Sequence, residues 1–528
     1  MDMDNSGLLQ QWLIHSVRRM SLTEYSCVEK WLEDLRLMTD TECMCVLQGK
    51  SLTKDTTDLV FTAARSTRGS IDTIKSRAHV IGTEFAKLFR KVEKERWKHV
   101  KSGSLRLTCQ IRSLLHECNA SMGKPSQHFS KQEQLVMAES AKLVQYIESH
   151  VDVNGHKPEK VILIQHITGL GQSFSLLVDL SLGALLQNLL QIIRDNTSVH
   201  DVKASLSNLV SLGLEGEHMC YLITRVGGVK TLFGVCQNPT MEFAHSLALR
   251  GIATVCCVTE SITELEKLSG IACLSSILAN MSVGEIVRSE AAGVIAQVTS
   301  PCLEQYQHLP GFIEHLEDLV DSLTSLCIEA STHEVFLLGA AALANITFMD
   351  SLACDYLIHY HTASILIEAC MLNKAESLFA KDQVATVLAN MSGLESCTGD
   401  IIDNHGVELL VHFLHERPCE AGTEAELAAC ERVQQKSAIA ITRLSKEKDV
   451  ADTIVQLDGV MRLVQLCREP KERNNSDAVL VACLAALRKV HKITASRLET
   501  SDDDVKELIE PRLMDSFLMC SNLDESIV

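Results

Sequence analysis

The sequence is poor in the residues that interrupt helices. Its 528 residues include only 8 prolines and 26 glycines, and aromatic residues make up 4%. Proline breaks the interior of a helix and glycine weakens it, so their scarcity beside abundant Leu, Ala, Val and Ile favours helices joined by short turns. We therefore expect an all-α protein, and a chain of this length can form several cores.

Positive charge is scarce as well. The formal net charge is −19, which repels phosphate backbones and anionic membranes, so we expect no nucleic-acid partner. The amino terminus has acidic residues where a secretory signal has basic ones. The twenty cysteines are scattered through apolar runs without the spacing of a disulfide framework. This usage favours reduced thiols and a cytoplasmic location.

Long uninterrupted hydrophobic runs are also missing. The best candidate for a membrane span, residues 173–193, is interrupted by Asp179 and by three amide side chains. An aspartate at the centre of a spanning helix costs about 2.5 to 3.5 kcal/mol. The composition therefore favours a buried helix of a bundle over membrane insertion.

The residues of a catalytic or metal site do not occur in the required spacing. Gly169 and Gly171 lack the third glycine and the preceding strand of a dinucleotide-binding loop. Cys43 and Cys45 lack a second pair of ligands at zinc spacing. We expect no enzymatic activity, no cofactor and no metal.

Two short signatures alternate from about residue 200 onward. The first opens with small residues and has its second position at residues 228, 270, 311, 362, 406 and 459. Most of these intervals match the period of about 40 to 47 residues of armadillo or HEAT repeats, and two of them are longer and indicate insertions. Between these anchors lies an Ala-rich signature such as "AALANITF". Helices with small side chains pack closely, and a stack of repeats buries faces that no single repeat can bury.

The two signatures resemble the second and third helices of an armadillo repeat. In that family an asparagine of the third helix binds the backbone of an extended peptide along a groove. The matching positions here are Asn208, Gln297, Asn345, Asn390 and Arg443, with Thr254 in the second repeat. Because this ladder is partial, peptide binding in the groove and a purely structural solenoid both stay open.

The region before the repeats has the pattern of long amphipathic helices. Over residues 70–123 the predicted apolar stripe consists of Ile71, Ile74, Val80, Phe85, Leu88, Phe89 and Val92. Two further helical runs follow, which together predict a helical bundle. We expect an N-terminal docking segment at 1–60, the bundle at 61–196, armadillo-like repeats at 197–497 and an acidic tail at 498–528.

The docking segment begins with a capping box, Ser26 and Glu29, which predicts a helix over 27–38. Apolar side chains at 28, 31, 32, 35 and 38 form one stripe of this helix, and residues 39–48 favour an extended conformation. A helix of about twelve residues is marginal alone in water. Either the bundle or a partner must therefore cover the stripe, and the polar run that follows favours a partner.

Two stretches of the chain resemble the Inscuteable family of asymmetric-division adaptors. "WLEDLRLMTDTECMCVLQGK" (31–50) is similar to the family's LGN-binding segment, and "RWKHVKSGSLRLTCQIRSLL" (96–115) is similar to its asymmetry domain. The resemblance implies a non-enzymatic adaptor that docks its helix in the tetratricopeptide groove of LGN, called Pins in flies. It further implies a link to a Bazooka-type PDZ polarity scaffold at the apical cell cortex, which orients the mitotic spindle.

The resemblance assigns the docking contacts to both apolar and acidic residues. The residues expected to lie in the LGN groove are Val28, Trp31, Glu33, Asp34, Leu35, Met38, Asp40 and Glu42. The apolar members are the anchors, and the carboxylates meet basic side chains of the groove.

The carboxyl end, Ser526-Ile527-Val528, fits the pattern of a PDZ ligand, whose extended tail adds a strand to its receptor. The alternative is that the tail packs on the last repeat. The sequence also leaves open the oligomeric state, including a higher-order assembly with LGN. The competing function is a cargo-binding armadillo protein of the transport or adhesion type.

Overall fold

The structure of the chain is a computed structural model. It describes residues 63–121, 130–151, 158–196, 198–301, 310–349, 352–372, 374–419 and 421–494, and three residues of the tail, Val505, Leu508 and Ile509. The long described stretches contain 23 α-helices, numbered α1 to α23 below, and no β-strand. The predicted all-α class is therefore confirmed. The described part of the chain divides into two compact units, with the boundary between Thr231 and Leu232.

The first unit begins with a bundle of four long helices. These are α1 (Ala63–Glu93), α2 (Trp97–Ser121), α3 (Lys131–Val151) and α4 (Lys160–Asp195). The rings of Phe85 and Phe174 lie 5.9 Å apart between α1 and α4. The Gln132 side chain donates a 2.7 Å hydrogen bond to the Ser173 carbonyl, which joins α3 to α4.

The buried face of α1 differs at one position from the predicted stripe. Ile74, Ile81 and Leu88 recur every seven residues and are almost fully buried. Val80, which the pattern assigned to this face, is 46% exposed, whereas Ile81 is 1% exposed. Consecutive residues of a helix are rotated by about 100° about its axis. Val80 therefore points toward solvent, and Ile81, one residue later, takes its place on the buried face.

Among the described residues, one helix, α4, is long and apolar enough to cross a membrane. The bent helix pair Glu217–Arg225 and Gly228–Cys236 is a second candidate if the two helices are counted as one span. A buried helix at the centre of a bundle passes the same test of length and apolar composition. Buried residues recur along α4 from Leu163 to Ile193. This burial fits the predicted bundle helix.

Three shorter helices follow the bundle: α5 (Val199–Gly213), α6 (Glu217–Arg225) and α7 (Gly228–Cys236). From α1, Arg68 donates to the Ser211 hydroxyl at 3.1 Å and to the Glu215 carboxylate at 2.6 Å. Helix α5, which is predicted to open the repeats, therefore packs with the bundle. The predicted limit at residue 196 falls between α4 and α5, and the domain limits stay a prediction.

The second unit is an α-solenoid of armadillo type. Its helices are α8 (His245–Val255), α9 (Thr259–Lys267), α10 (Gly270–Ala279), α11 (Glu285–Val298), α12 (Pro310–Glu314), α13 (Leu316–Glu329), α14 (His333–Met349), α15 (Leu352–His359), α16 (Thr362–Met371), α17 (Leu378–Met391), α18 (Glu395–Asp403), α19 (Gly406–Leu414), α20 (Glu424–Leu444), α21 (Lys448–Gln456), α22 (Gly459–Arg468) and α23 (Asp477–Thr494). The helices follow one another as a short first, a short second and a longer third helix. The third helices α8, α11, α14, α17, α20 and α23 stack on one another.

The predicted signatures coincide with these helices. The second helices α10, α16, α19 and α22 begin at residues 270, 362, 406 and 459, where the first signature has its anchors, and α12 begins one residue before the anchor at 311. The Ala-rich signature forms the third helices. The repeat interpretation is therefore confirmed in this unit.

The corner between first and second helices explains the glycine of the first signature. His405 has φ 64°, in the left-handed region, and Gly406 follows it at the start of α19. A Cβ added to Gly406 would lie 2.4 Å from Cγ2 of Ile401 and 2.7 Å from its carbonyl oxygen. Only glycine lets the two helices approach this closely.

We expect Gly406→Ala to destabilise the solenoid by about 1 to 3 kcal/mol, because the clash involves backbone that cannot yield cheaply. Gly399, exposed within α18 with nothing within 4 Å of an added Cβ, is the matched control. Gly399→Ala should be neutral or stabilising by up to about 1 kcal/mol, since alanine favours helix. Amide hydrogen exchange of α18 and α19 checks both variants. Equal exchange rates in the two would contradict the corner argument.

Candidate functional site

Two of the three predicted binding surfaces lie outside the described residues. These are the LGN-docking set between Val28 and Glu42 and the PDZ ligand Ser526 to Val528. Their residue assignments stay predictions. The third surface, the column along the third helices, falls on described residues.

The column residues sit near the carboxyl ends of successive third helices. Asn208 lies on α5 in the first unit. In the second unit, Gln297, Asn345, Asn390 and Arg443 lie on α11, α14, α17 and α20. Asn345, Asn390 and Arg443 are half-buried, and Gln297 is buried.

Three of these side chains bind the preceding third helix. Asn345 donates its amide to the Ala296 carbonyl at 2.7 Å, and Arg443 donates to the Ala389 carbonyl at 2.7 Å. Asn390 donates to the Thr347 hydroxyl at 2.5 Å. Each contact therefore crosses from one repeat to the previous one.

The acceptors explain why these bonds form. Ala296 and Ala389 lie in the last turns of α11 and α17. The last four carbonyls of a helix have no partner within that helix. Asn345 and Arg443 therefore cap the carboxyl end of the neighbouring helix.

The column is not continuous. Gln297 is 5% exposed, so its amide is withdrawn from the surface. The Thr254 hydroxyl donates to the Arg250 carbonyl within its own helix at 2.8 Å. Capture of a peptide by the column stays a prediction.

Buried ion pairs between third helices are a feature that the sequence analysis did not identify. Arg250 on α8 and Glu290 on α11 lie 2.7 Å apart, with 6% and 3% of their side chains exposed. Burial raises the pKa of the Glu290 carboxyl, and the Arg250 guanidinium acts in the opposite direction. Asp382 on α17 is fully buried and pairs with Arg432 at 2.9 Å and Lys436 at 2.8 Å on α20.

The buried cysteines of the described residues are free thiols. Burial raises the pKa of Cys327 and of Cys370 to about 12. These thiols are protonated at neutral pH and pack as small apolar groups. Among the described residues, no group of three or more His, Cys, Asp or Glu side chains is arranged to hold a metal ion.

Solved structures with a related helical arrangement include an engineered protein. It is 18% identical to this chain, with 82% of this chain and 98% of that chain covered and a TM-score of 0.49. A computationally designed armadillo repeat protein for modular peptide recognition is 19% identical, with 48% of this chain and 99% of that chain covered and a TM-score of 0.39.

The amino-acid sequence matches known proteins far more closely than the solved structures do. Residues 77–528 match the family model of the protein inscuteable C-terminal region, and residues 24–63 match that of the Inscuteable LGN-binding domain. Protein inscuteable homolog from Homo sapiens and that from Mus musculus are each 43% identical over 518 residues, which covers 97% of this chain and 89% of the relative. The chain belongs to the Inscuteable family.

Proposed function

We propose that this chain is a non-enzymatic adaptor that docks its N-terminal segment in the tetratricopeptide groove of an LGN- or Pins-type protein. The observation that carries the proposal is the match of residues 24–63 to the Inscuteable LGN-binding domain. The eight residues expected to contact the groove, from Val28 to Glu42, all lie within this matched range of 24–63.

The chemistry of the segment suits such a groove. Val28, Trp31, Leu35 and Met38 share one face of the expected helix, and a buried aromatic anchor is the kind of residue that dominates interface energies. Glu33, Asp34, Asp40 and Glu42 supply charge that attracts a basic groove.

The other end of the adaptor links LGN to cell polarity in this proposal. The carboxyl-terminal Ser526-Ile527-Val528 docks in a PDZ domain of a Bazooka-type scaffold, with the carboxylate held by backbone amides. The scaffold recruits the chain to the cell cortex, and the bound LGN orients the mitotic spindle in asymmetric division. Membership of the family supports this arrangement.

Family membership and the state of the thiols support the non-enzymatic role. Thiols with a pKa raised to about 12, such as Cys327, are poor nucleophiles at neutral pH. The cargo-binding alternative depends on an open third-helix column. It has less support, because Asn345 and Arg443 already cap neighbouring helices.

A titration of a peptide covering residues 24–50 into the tetratricopeptide repeats of LGN tests the docking. We expect saturable binding that weakens as salt rises from 0.15 M to 1 M, because the Debye length shrinks from about 8 Å to about 3 Å. Fluorescence anisotropy of a labelled peptide measures the dissociation constant. The matched control is a peptide with Glu33, Asp34, Asp40 and Glu42 changed to their amides, whose weaker binding should respond less to salt. Equal salt dependence of both peptides would contradict the ionic contacts.

A further inference from the structure

The last two third helices carry a surface of unusual charge for this protein. We call it the basic stripe; it consists of Arg432, Lys436 and Arg443 on α20 and Arg488 and Lys492 on α23. The spacings of four and seven residues place the members of each helix on one face. Arg488 and Lys492 are exposed and the other three are half-buried. Residues 432–446 and 478–497 contain no Asp or Glu, in a chain of net charge −19.

The half-buried members of the stripe already make contacts within the stack. Asp382 on α17 forms ion pairs with both Arg432 and Lys436. Arg443 donates to a neutral backbone carbonyl. The nearby Glu431 carboxylate is directed elsewhere and accepts a 2.5 Å hydrogen bond from Asn474.

The chain itself supplies a segment of complementary charge. Directly after α23, residues 498–510 read "LETSDDDVKELIE", with six carboxylates and one lysine. The acidic triplet of this segment is Asp502, Asp503 and Asp504. Its net charge is opposite to that of Arg488 and Lys492, so the two attract each other.

The acidic triplet is close enough to reach both helices. Helix α23 ends at Thr494, eight residues before Asp502. An extended chain spans about 3.3 to 3.6 Å per residue, so this linker reaches about 26 to 29 Å. Packed helices lie about 8 to 10 Å apart. Lys492, Arg488 and Arg443 all lie near the carboxyl ends of their helices, which is the end from which the tail leaves.

Three apolar residues of the tail lie just beyond the triplet. Val505, Leu508 and Ile509 are helical, and their spacing places them on one face. Val505 is 1% exposed and the other two are half-buried. The apolar face of this short stretch is therefore covered.

We propose that the basic stripe is a binding site for an acidic peptide segment, and that residues 499–504 of the same chain occupy it. The carboxylates of the tail neutralise Arg488 and Lys492, the two exposed members of the stripe, and they cover the third-helix face of the last two repeats. An acidic segment of a partner must displace the tail to bind there. This proposal does not depend on docking to LGN.

The test uses the full-length chain and a labelled synthetic peptide of residues 496–512. In the tail-neutral chain, Asp502, Asp503 and Asp504 are changed to Asn, which should vacate the stripe. We expect the tail-neutral chain to bind the peptide at least about tenfold more tightly than the wild-type chain at low salt, because the wild-type tail competes in cis. Adding Arg488→Glu and Lys492→Glu to the tail-neutral chain should weaken binding by at least about tenfold.

The matched control adds Arg225→Glu and Lys230→Glu to the tail-neutral chain, two exposed positions with the same change of charge. This control should bind the peptide like the tail-neutral chain, and circular dichroism should show the same helix content in every variant. Equal affinity of the wild-type and tail-neutral chains for the peptide would overturn occupation of the stripe by the tail. The proposed site would be overturned if both pairs of charge reversals weakened peptide binding equally. It would also be overturned if the tail-neutral chain did not bind the peptide.

Discussion

Trp31→Ala together with Leu35→Ala should abolish most of the affinity of the full-length chain for the tetratricopeptide repeats of LGN. Two apolar anchors at the centre of an interface each contribute about 2 kcal/mol or more. Because about 1.4 kcal/mol changes affinity tenfold, the double variant should bind at least about 100-fold more weakly. Isothermal titration calorimetry with the repeats measures the loss.

The matched control for this experiment is Leu37→Ala. Leu37 is apolar but lies off the predicted stripe, so its loss should change affinity less than about threefold. If a partner covers the apolar stripe of the docking helix, the melting temperature of the free chain should be the same in the wild type and the double variant. A large fall in stability with unchanged affinity would instead indicate that the bundle covers Trp31 and Leu35.

Asp382→Ala is expected to have the largest effect on stability in the described repeats. Asp382 is fully buried and pairs with both Arg432 and Lys436 across two third helices. Removing one partner of a buried ion pair typically costs about 3 to 5 kcal/mol, because charge is left uncompensated in the interior. Chemical denaturation of the full chain, followed by hydrogen exchange of α17 and α20, measures this loss.

Two further variants separate the charge from other effects of the substitution. Asp321→Ala, at an exposed position within α13, should change stability by less than about 0.5 kcal/mol. Replacing Asp382, Arg432 and Lys436 together by Leu, Met and Met should restore much of the stability, since apolar residues can substitute for a buried ion network. A triple variant as unstable as Asp382→Ala would show that the loss does not arise from uncompensated charge.

The repeats could be predicted from the sequence because the contacts that produce the two signatures join residues close together in the chain or in adjacent helices. The glycine at Gly406 is fixed by the close approach of Ile401, five residues earlier, and the same corner recurs at Gly228, Gly270 and Gly459. The Ala-rich third helices follow from close packing of one helix on the next. The anchors at 270, 362, 406 and 459 therefore marked the starts of second helices.

Contacts between repeats were harder to predict because they depend on distances across the stack. The bond from Asn345 to Ala296 joins residues 49 positions apart, and periodicity does not indicate which carbonyl an amide will reach. A weak signal for the ion pairs did exist. Arg250 and Glu290 are 40 residues apart, about one repeat, so opposite charges at that interval mark candidate pairs.

The face of α1 shows the limit of reading a helical stripe by eye. Val80 and Ile81 are adjacent, β-branched and apolar, so composition does not distinguish them. Their burial is decided by which one faces α4 and α2, and that depends on the rotation of α1 within the bundle.

Removal of residues 24–50 from the full-length chain tests the central claim most directly. We expect the shortened chain to lose measurable binding to the tetratricopeptide repeats of LGN while it keeps the helix content and melting temperature of the solenoid. The same 27 residues joined to an unrelated carrier should transfer the binding. Retained affinity in the shortened chain, with none in the carrier, would contradict the account and assign LGN docking to another surface.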